Sequence, residues 1–169
     1  MNEYSLKKNW LYGLLLLSLV SAVLALTTSN FIFKSGSAGI GIIILLLLIL
    51  KKESNKDIWF IILAFLFSII GDWFLSHKGG DTMMFSKGIA AFFVAHIGYL
   101  WFALNNGKPN WKLTSLILLV FLVYFLWLLY PAIADQVLMV AALVYLLISC
   151  LTFGTSFGIK GNTGFKWTY

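Results

Sequence analysis

The chain has 169 residues, of which 61% are apolar and 11% are charged, and its formal net charge is +6. A water-soluble domain of this length needs far more charge on its surface, so this composition excludes an ordinary soluble fold. The apolar residues form long unbroken blocks, which exclude the short alternating strands of a transmembrane barrel. The sequence therefore predicts an all-α, polytopic transmembrane helical bundle, with residues 1–169 forming a single domain.

Six spans are predicted in chain order, because each apolar block approaches the roughly 20 residues that cross a bilayer core. Lys7 and Lys8 precede the first block as basic residues precede the core of a signal peptide, but the length of the block favours an uncleaved first helix. The second must begin near Phe31 and carry Lys34 in its first turn, where a lysine can reach the interface. The spans are placed at residues 10–27, 31–50, 58–77, 83–104, 112–130 and 136–157.

The twelve basic residues are all lysines and lie almost entirely between the apolar blocks. This placement favours a role in topology and contact with lipid headgroups over binding of nucleic acid. With the N-terminus inside, only Lys34, Lys78 and Lys87 face outward. The inward set is Lys7, Lys8, Lys51, Lys52, Lys56, Lys108, Lys112, Lys160 and Lys166. This bias predicts a multi-pass protein with both termini cytoplasmic, and lysine without arginine is typical of an AT-rich bacterium.

Asp72 is the acidic residue that the third span carries well inside its apolar block. A carboxyl group there costs several kcal/mol unless it faces the bundle interior, water or a partner. Ser68 and Ser76 lie one turn to either side of it and extend a polar stripe. Two interpretations stay open: Asp72 belongs to a functional site, or it pairs with Lys87 of the fourth span and only joins two helices.

The fourth span places a polar and aromatic face on one side of a helix. Phe85, Gly88, Phe92, His96 and Tyr99 are spaced by three or four residues, as on one helical face. His96 and Tyr99 could bind substrate or simply form hydrogen bonds between helices. If both helices are straight, His96 lies about 10 Å deeper than Asp72, so we expect the two at opposite ends of one cavity.

Other chemical signals are weak. His77 and Asp81 flank a short exposed turn, and Asp135 follows Pro131 at the turn before the sixth span. The single cysteine, Cys150, cannot form an intrachain disulfide, and no P-loop, HExxH, GxSxG or CxxC pattern occurs. The sequence gives no reason to expect a metal ion or another cofactor.

About 30 residues resemble the YhhN-like family of membrane proteins, which includes the lysoplasmalogenases. In that family a small-residue span ends in Gly-Asp, and an aromatic-rich segment with a His-x-x-Tyr motif follows. The corresponding residues here are Gly71-Asp72, Phe85-x-x-Gly88, Ala91-Phe92-Phe93 and His96-x-x-Tyr99. Lys34 also resembles the lysine of the family's Lys-Pro at the second span, with Ser35 in place of the proline.

The resemblance implies hydrolysis of the vinyl ether bond of a lysoplasmalogen, a lysophospholipid, to a fatty aldehyde and a glycerophospho-base. Asp72 would be the general acid, Lys34 a contact for the phosphate, and His96 and Tyr99 would order the cavity or a water. Family members typically have about eight spans and a second acidic motif. This chain therefore resembles a C-terminally shortened member in which a second carboxylate is missing and activity could be lost; Asp135 is its one late candidate.

Two non-enzymatic hypotheses remain beside this one. The protein could be a small membrane transporter or binding protein in which Asp72 and His96 relay protons or hold a polar headgroup. It could also be a structural bundle subunit joined by Asp72 and Lys87. Loss of hydrolysis in Asp72→Asn membranes would separate the enzyme from both.

Overall fold

The structure, a computed structural model, describes residues 3–28, 30–50 and 57–159, with side chains described from residue 10 onward. The connector 51–56 and residues 160–169 lie outside the described residues. Five lysines used in the orientation count fall there: Lys51, Lys52, Lys56, Lys160 and Lys166.

Six α-helices make up nearly all of the described chain. They are α1 (Glu3–Thr28), α2 (Phe31–Leu50), α3 (Ile58–Ser76), α4 (Thr82–Asn106), α5 (Trp111–Tyr124) and α6 (Gln136–Ser156). A π-helical turn, Phe125–Leu129, continues α5. All six are long and apolar enough to cross a membrane, so the prediction of six spans is confirmed for the described part of the chain.

The predicted boundaries differ from the observed ones by one or two residues at most ends. The second span begins at Phe31 as expected. α1 differs most, since its helix starts at Glu3, although its membrane-spanning part is Trp10–Thr28. The helix extends on the N-terminal side of the apolar block into polar residues. The sequence prediction missed this extension because hydropathy locates the membrane-spanning part and not the end of the helix.

The helices pack as a row in the order α1, α2, α3, α4, α6, α5, each mainly against the next. Neighbouring helices in chain order are antiparallel, so residues 77–81 mark one end of the bundle, the Lys78 end. Residues 107–110 mark the opposite end, the Gly107 end. α4 packs against both α3 and α6, so its side chains can contribute to a site shared by the three helices.

Close packing of α3 on α4 depends on glycines. A Cβ on Gly71 would lie 2.8 Å from the Phe92 ring, and one on Gly98 would lie 2.9 Å from the carbonyl oxygen of Phe60. Since neither position has room for a methyl group, glycine lets the two backbones approach closely, as is common between membrane helices. These contacts also fix the register of α3 against α4.

The best-buried apolar cluster lies toward the Gly107 end. Its members come from α2, α3, α4 and the residues after α6: Leu45, Ile58, Ile61, Ile62, Phe102, Ala103 and Ile159. The segment after α6 is held to the α4–α5 connection by a bridge between Gly107 and Ile159. The backbone N–H of Lys108 donates to the carbonyl of Gly158 at 3.3 Å. This end of the bundle is thus closed by packing.

Candidate functional site

Lys34 and Asp72 face each other at the same depth in the bundle. Gly41 of α2 packs on the ring of Phe65 of α3, where a Cβ would lie 2.8 Å from the ring. Lys34 precedes Gly41 by two helical turns and therefore lies on the same face of α2. Asp72 follows Phe65 by two turns and therefore lies on the same face of α3. Because α2 and α3 run antiparallel, these two steps lead to the same level, about 6 Å from the end of α3.

The electrostatic partner of Asp72 is therefore Lys34 rather than Lys87. Lys34 is close enough to interact electrostatically with the half-buried Asp72 carboxylate. Lys87 is exposed, and its ammonium group lies 5.9 Å from the centre of the Phe74 ring. Within the described residues Asp72 and Lys87 form no ion pair, so the geometry gives no support to the hypothesis that they join α3 and α4.

The polar stripe of α3 continues onto α4 through Tyr99. The Ser68 hydroxyl lies 3.2 Å from the Tyr99 hydroxyl and donates to the carbonyl of Ala64. The Tyr99 ring also packs edge-on against Phe65 and His96. Asp72 lies within electrostatic range of the Tyr99 hydroxyl. Two of the predicted binding residues, Lys34 and Tyr99, thus lie within electrostatic range of the predicted acid.

His96, the third predicted binding residue, contacts α6 instead of Asp72. Its Nε2 atom lies 3.2 Å from the Tyr145 hydroxyl, and the two rings pack edge-on with centroids 5.1 Å apart. Its other nitrogen, Nδ1, is buried and has no hydrogen-bond partner among the described residues. Asp72 and His96 share no hydrogen bond, although both lie in the described chain, which agrees with the expected difference in depth.

Tyr145 was not identified from the sequence. It lies between the two predicted polar centres, because its hydroxyl contacts His96 while Asp72 is within electrostatic range of it. A signal was present in the pattern of α6, where one helical face carries a polar residue every three or four positions. That face consists of Tyr145, Ser149, Thr152 and Ser156.

The hydroxyl groups on that face of α6 are mostly bonded to their own helix. Ser149 donates to the Tyr145 carbonyl at 2.7 Å, and Thr152 donates to the Ile148 carbonyl at 2.8 Å. Thr152 also donates to the His96 carbonyl at 3.4 Å, which ties α6 to α4. Since hydroxyls satisfied in this way offer few free donors, the face is less polar toward its surroundings than its composition suggests.

A cavity of about 310 Å³ lies between α3, α4 and α6. It extends from His96 to Ala103, two turns or about 10 Å along α4 toward the Gly107 end. One residue of its lining, Phe153, is 54% exposed, so the cavity opens at the lipid-facing surface. Its full lining is Ile61, Phe65, His96, Tyr99, Phe102, Ala103, Ser149, Thr152, Phe153 and Ser156.

The site therefore has two parts with different chemistry. Lys34 and Asp72 lie nearer the Lys78 end, and the hydroxyls of Tyr99 and Tyr145, deeper in the bundle, are within electrostatic range of the Asp72 carboxylate. Below them begins a narrow cavity with mainly apolar and aromatic walls. This arrangement suits an amphipathic molecule with an anionic head and one hydrocarbon chain. In the described residues, no group of three His, Cys, Asp or Glu side chains could hold a metal ion.

The remaining predicted polar residues stabilise helix ends. Asp81 accepts a hydrogen bond from the Met83 N–H at 2.8 Å and caps α4. Asp135 accepts from Val137 and Leu138 at 2.8 and 3.2 Å and caps α6. His77 Nδ1 lies 2.8 Å from the Trp73 carbonyl oxygen. Because Asp135 is exposed and occupied as a cap, the structure gives no support to it as a second catalytic carboxylate.

Comparison with known proteins identifies one family. The family model described as the YhhN family matches residues 33–168, which include Lys34, Asp72, His96, Tyr99 and Tyr145. No curated protein matches the chain, and no solved structure does either.

Proposed function

The chain belongs to the YhhN family, and from this premise we propose that it hydrolyses the vinyl ether bond of lysoplasmalogens. The products would be a fatty aldehyde and a glycerophospho-base. One observation carries the proposal: Lys34 and Asp72 face each other at one depth, directly above a cavity that suits a single hydrocarbon chain. A lysoplasmalogen has its phosphate, its vinyl ether and its chain in this same order.

Substrate binding would use both parts of the site. The phosphate would pair with the Lys34 ammonium, since a lysine binds phosphate as a point charge. The glycerol would then bring the vinyl ether to Asp72, and the chain would extend past His96 and Tyr99 into the cavity. The opening at Phe153 would let the chain enter sideways from the lipid.

Asp72 would supply the acid. A vinyl ether is cleaved when an acid protonates its outer alkene carbon, which leaves an oxocarbenium ion at the carbon bonded to oxygen. A carboxylic acid in a low-dielectric environment can stay protonated near neutrality, and its carboxylate then stabilises the developing positive charge. Water captures the cation as a hemiacetal, which collapses to the aldehyde and the free glycerol hydroxyl.

The lysine bias of the connectors gives the proposed orientation. With both termini in the cytoplasm, Lys34 and Asp72 would lie near the non-cytoplasmic face of the membrane, and the cavity would extend toward the cytoplasmic side. A bacterial cytoplasmic membrane remains the location we propose.

The direct test is aldehyde release by the purified protein in liposomes. We expect the protein to release fatty aldehyde from a lysoplasmalogen but no fatty acid from the 1-acyl lysophospholipid with the same headgroup. An ester carbonyl cannot be protonated at carbon, so the proposed acid does not act on it. Turnover of neither lipid would contradict the proposal and favour the transporter or binding protein.

Filling the cavity should weaken the handling of long chains. Ser149→Phe places a ring in the lining, and steric overlap of about 1–3 kcal/mol corresponds to roughly a tenfold loss of kcat/KM or more. The matched control is Leu147→Phe, which adds the same ring to the lipid-facing side of α6, where Leu147 is 37% exposed. Aldehyde release should fall for a long-chain substrate in the first variant and stay normal in the second. An equal loss of activity in both variants would show that the hydrocarbon chain of the substrate does not occupy this cavity.

A further inference from the structure

The proposed reaction needs a second acid–base group, because the water that captures the cation must lose a proton. Glycoside hydrolysis, which also passes through an oxocarbenium ion, commonly meets this need with a second carboxylate. The described residues offer none near Asp72, since Asp81 and Asp135 cap helices and Asp57 precedes α3 at the opposite end of the bundle. Among the described residues, the imidazole of His96 is the next candidate for this proton acceptor.

His96 and Tyr145 form the hydrogen-bonded pair that lies beyond Asp72 on the way into the cavity. The register of α3 against α4 fixes their separation. The carbonyl oxygen of Gly71 lies 3.3 Å from the position that a Cβ on Gly88 would take, so Asp72 is level with about residue 88. His96 lies about eight residues, or about 12 Å of helical rise, farther toward the Gly107 end. In inverting glycosidases, a water fits between two carboxyl groups about 6.5–9.5 Å apart. Helical side chains lean toward the N-terminus of their own helix, so those of Asp72 and His96, on antiparallel helices, lean toward each other and shorten this separation. The space between them then has room for the reacting carbons and a water.

The hydrogen bonding of His96 suits a proton acceptor. Its Nε2 is paired with the Tyr145 hydroxyl at 3.2 Å, whereas Nδ1 is buried and without a protein partner among the described residues. A neutral imidazole has one donor and one acceptor nitrogen, and the partner of one nitrogen sets the role of the other. The ring is held between Tyr99 and Tyr145, so its orientation is fixed by packing on both sides.

We propose that His96 is the second catalytic residue, which accepts a proton from the water that attacks the oxocarbenium ion, and that Tyr145 is the residue that positions its imidazole. This inference rests on the proposed function. It assigns to an imidazole the role that a second carboxylate would otherwise have, and it gives Tyr145 a role that the sequence motifs do not include.

The protons balance over one turnover. Asp72 gives its proton to the alkene carbon, and His96 takes one from the attacking water as the new C–O bond forms. His96 then returns that proton to the glycerol oxygen as the hemiacetal C–O bond breaks. The hemiacetal hydroxyl gives its proton to the Asp72 carboxylate. Vinyl ether and water become aldehyde and alcohol, and both residues recover their starting forms.

The test measures hydrolysis and isotope exchange together, in D₂O, with liposomes that contain lysoplasmalogen and each purified variant. In the wild type, water captures the cation faster than Asp72 can remove a proton from it, so recovered substrate should hold no deuterium at the alkene carbon. In His96→Gln, capture is slowed and the cation returns to substrate. We expect hydrolysis to fall about 30-fold in this variant. The loss is smaller than the 10²-fold or more that is typical of a group acting in the slow step, because the slow step of the wild type is protonation of carbon and His96 acts after it. Recovered substrate should then carry deuterium.

Further variants keep the outcome interpretable. Tyr145→Phe keeps the ring packing and should show a smaller rate loss with a correspondingly weaker deuterium label. Tyr124→Phe, on the lipid-facing surface, should behave as the wild type. A His96→Gln protein with normal hydrolysis, or with slow hydrolysis and no label in recovered substrate, would overturn the assignment of His96. A wild type that releases no aldehyde would instead overturn the proposed function, and this inference with it.

Discussion

Asp72→Asn should reduce aldehyde release from lysoplasmalogen by about 10³-fold or more while the protein remains folded in the membrane. An amide cannot donate a proton to carbon, and a positioned general acid typically contributes 10²–10⁴-fold to a rate. Asparagine has nearly the same size as aspartate, and the Asp72 side chain makes no hydrogen bond to other described residues that the change would break. The loss should therefore appear in kcat, measured by aldehyde release at matched protein levels.

The matched control for this change is Asp135→Asn. Asp135 caps α6 through hydrogen bonds to the N–H groups of Val137 and Leu138, and asparagine is as good a cap as aspartate. That variant should keep wild-type activity and stability. An Asp72→Asn protein with wild-type kcat would remove Asp72 from the chemistry and return it to the role of a structural carboxyl group.

Lys34→Met should raise the KM for lysoplasmalogen by about a hundredfold with a much smaller change in kcat. A hydrogen bond to a charged group contributes about 1.5–3 kcal/mol, which corresponds to roughly 10- to 150-fold in affinity. Methionine keeps much of the length and packing of the lysine stem, so the change mainly removes the ammonium group that lies near Asp72. Steady-state kinetics in liposomes of fixed composition would measure both constants.

Lys87→Met is the control, because Lys87 lies near the same end of the bundle but is exposed and placed over the Phe74 ring. It should leave both kinetic constants and the stability of the protein nearly unchanged. If instead Lys87→Met destabilises the protein and the double variant with Asp72→Asn restores stability, the two residues join helices as first considered. Equal KM values for Lys34→Met and the wild type would show that Lys34 does not bind the phosphate.

The spans were predictable because one physical requirement dominates them. Every backbone polar group inside lipid must be bonded internally, and about 20 apolar residues are needed to cross the hydrocarbon core. These constraints act on local sequence alone, so even the second span, with Lys34 in its first turn, begins at Phe31 as expected. The depths of Asp72 and His96 followed from the same rule, since each helix rises 1.5 Å per residue.

The partners of those residues were not predictable in this way. From the sequence, Lys87 was the partner considered for Asp72, because both residues lie at similar depth in consecutive helices. The structure places Lys34 there instead, through the packing of Gly41 on Phe65. Depth depends on distance along one helix, whereas the partner depends on how each helix is rotated against its neighbour.

Tyr145 shows the same division within α6. The polar face that begins at Tyr145 is visible in the sequence as a spacing of three and four residues, and it identifies one side of a helix. The sequence does not state which neighbour that side meets, because α6 could pack on any helix of the bundle. Contact with α4 brings the Tyr145 hydroxyl to His96 at 3.2 Å. The sequence by itself thus determined the membrane, the spans and the depth of each polar group, which depend on local hydropathy and helical rise. Only the packing of α2, α3, α4 and α6 decided which of those groups meet, because side-chain contacts between helices depend on long-range register and rotation.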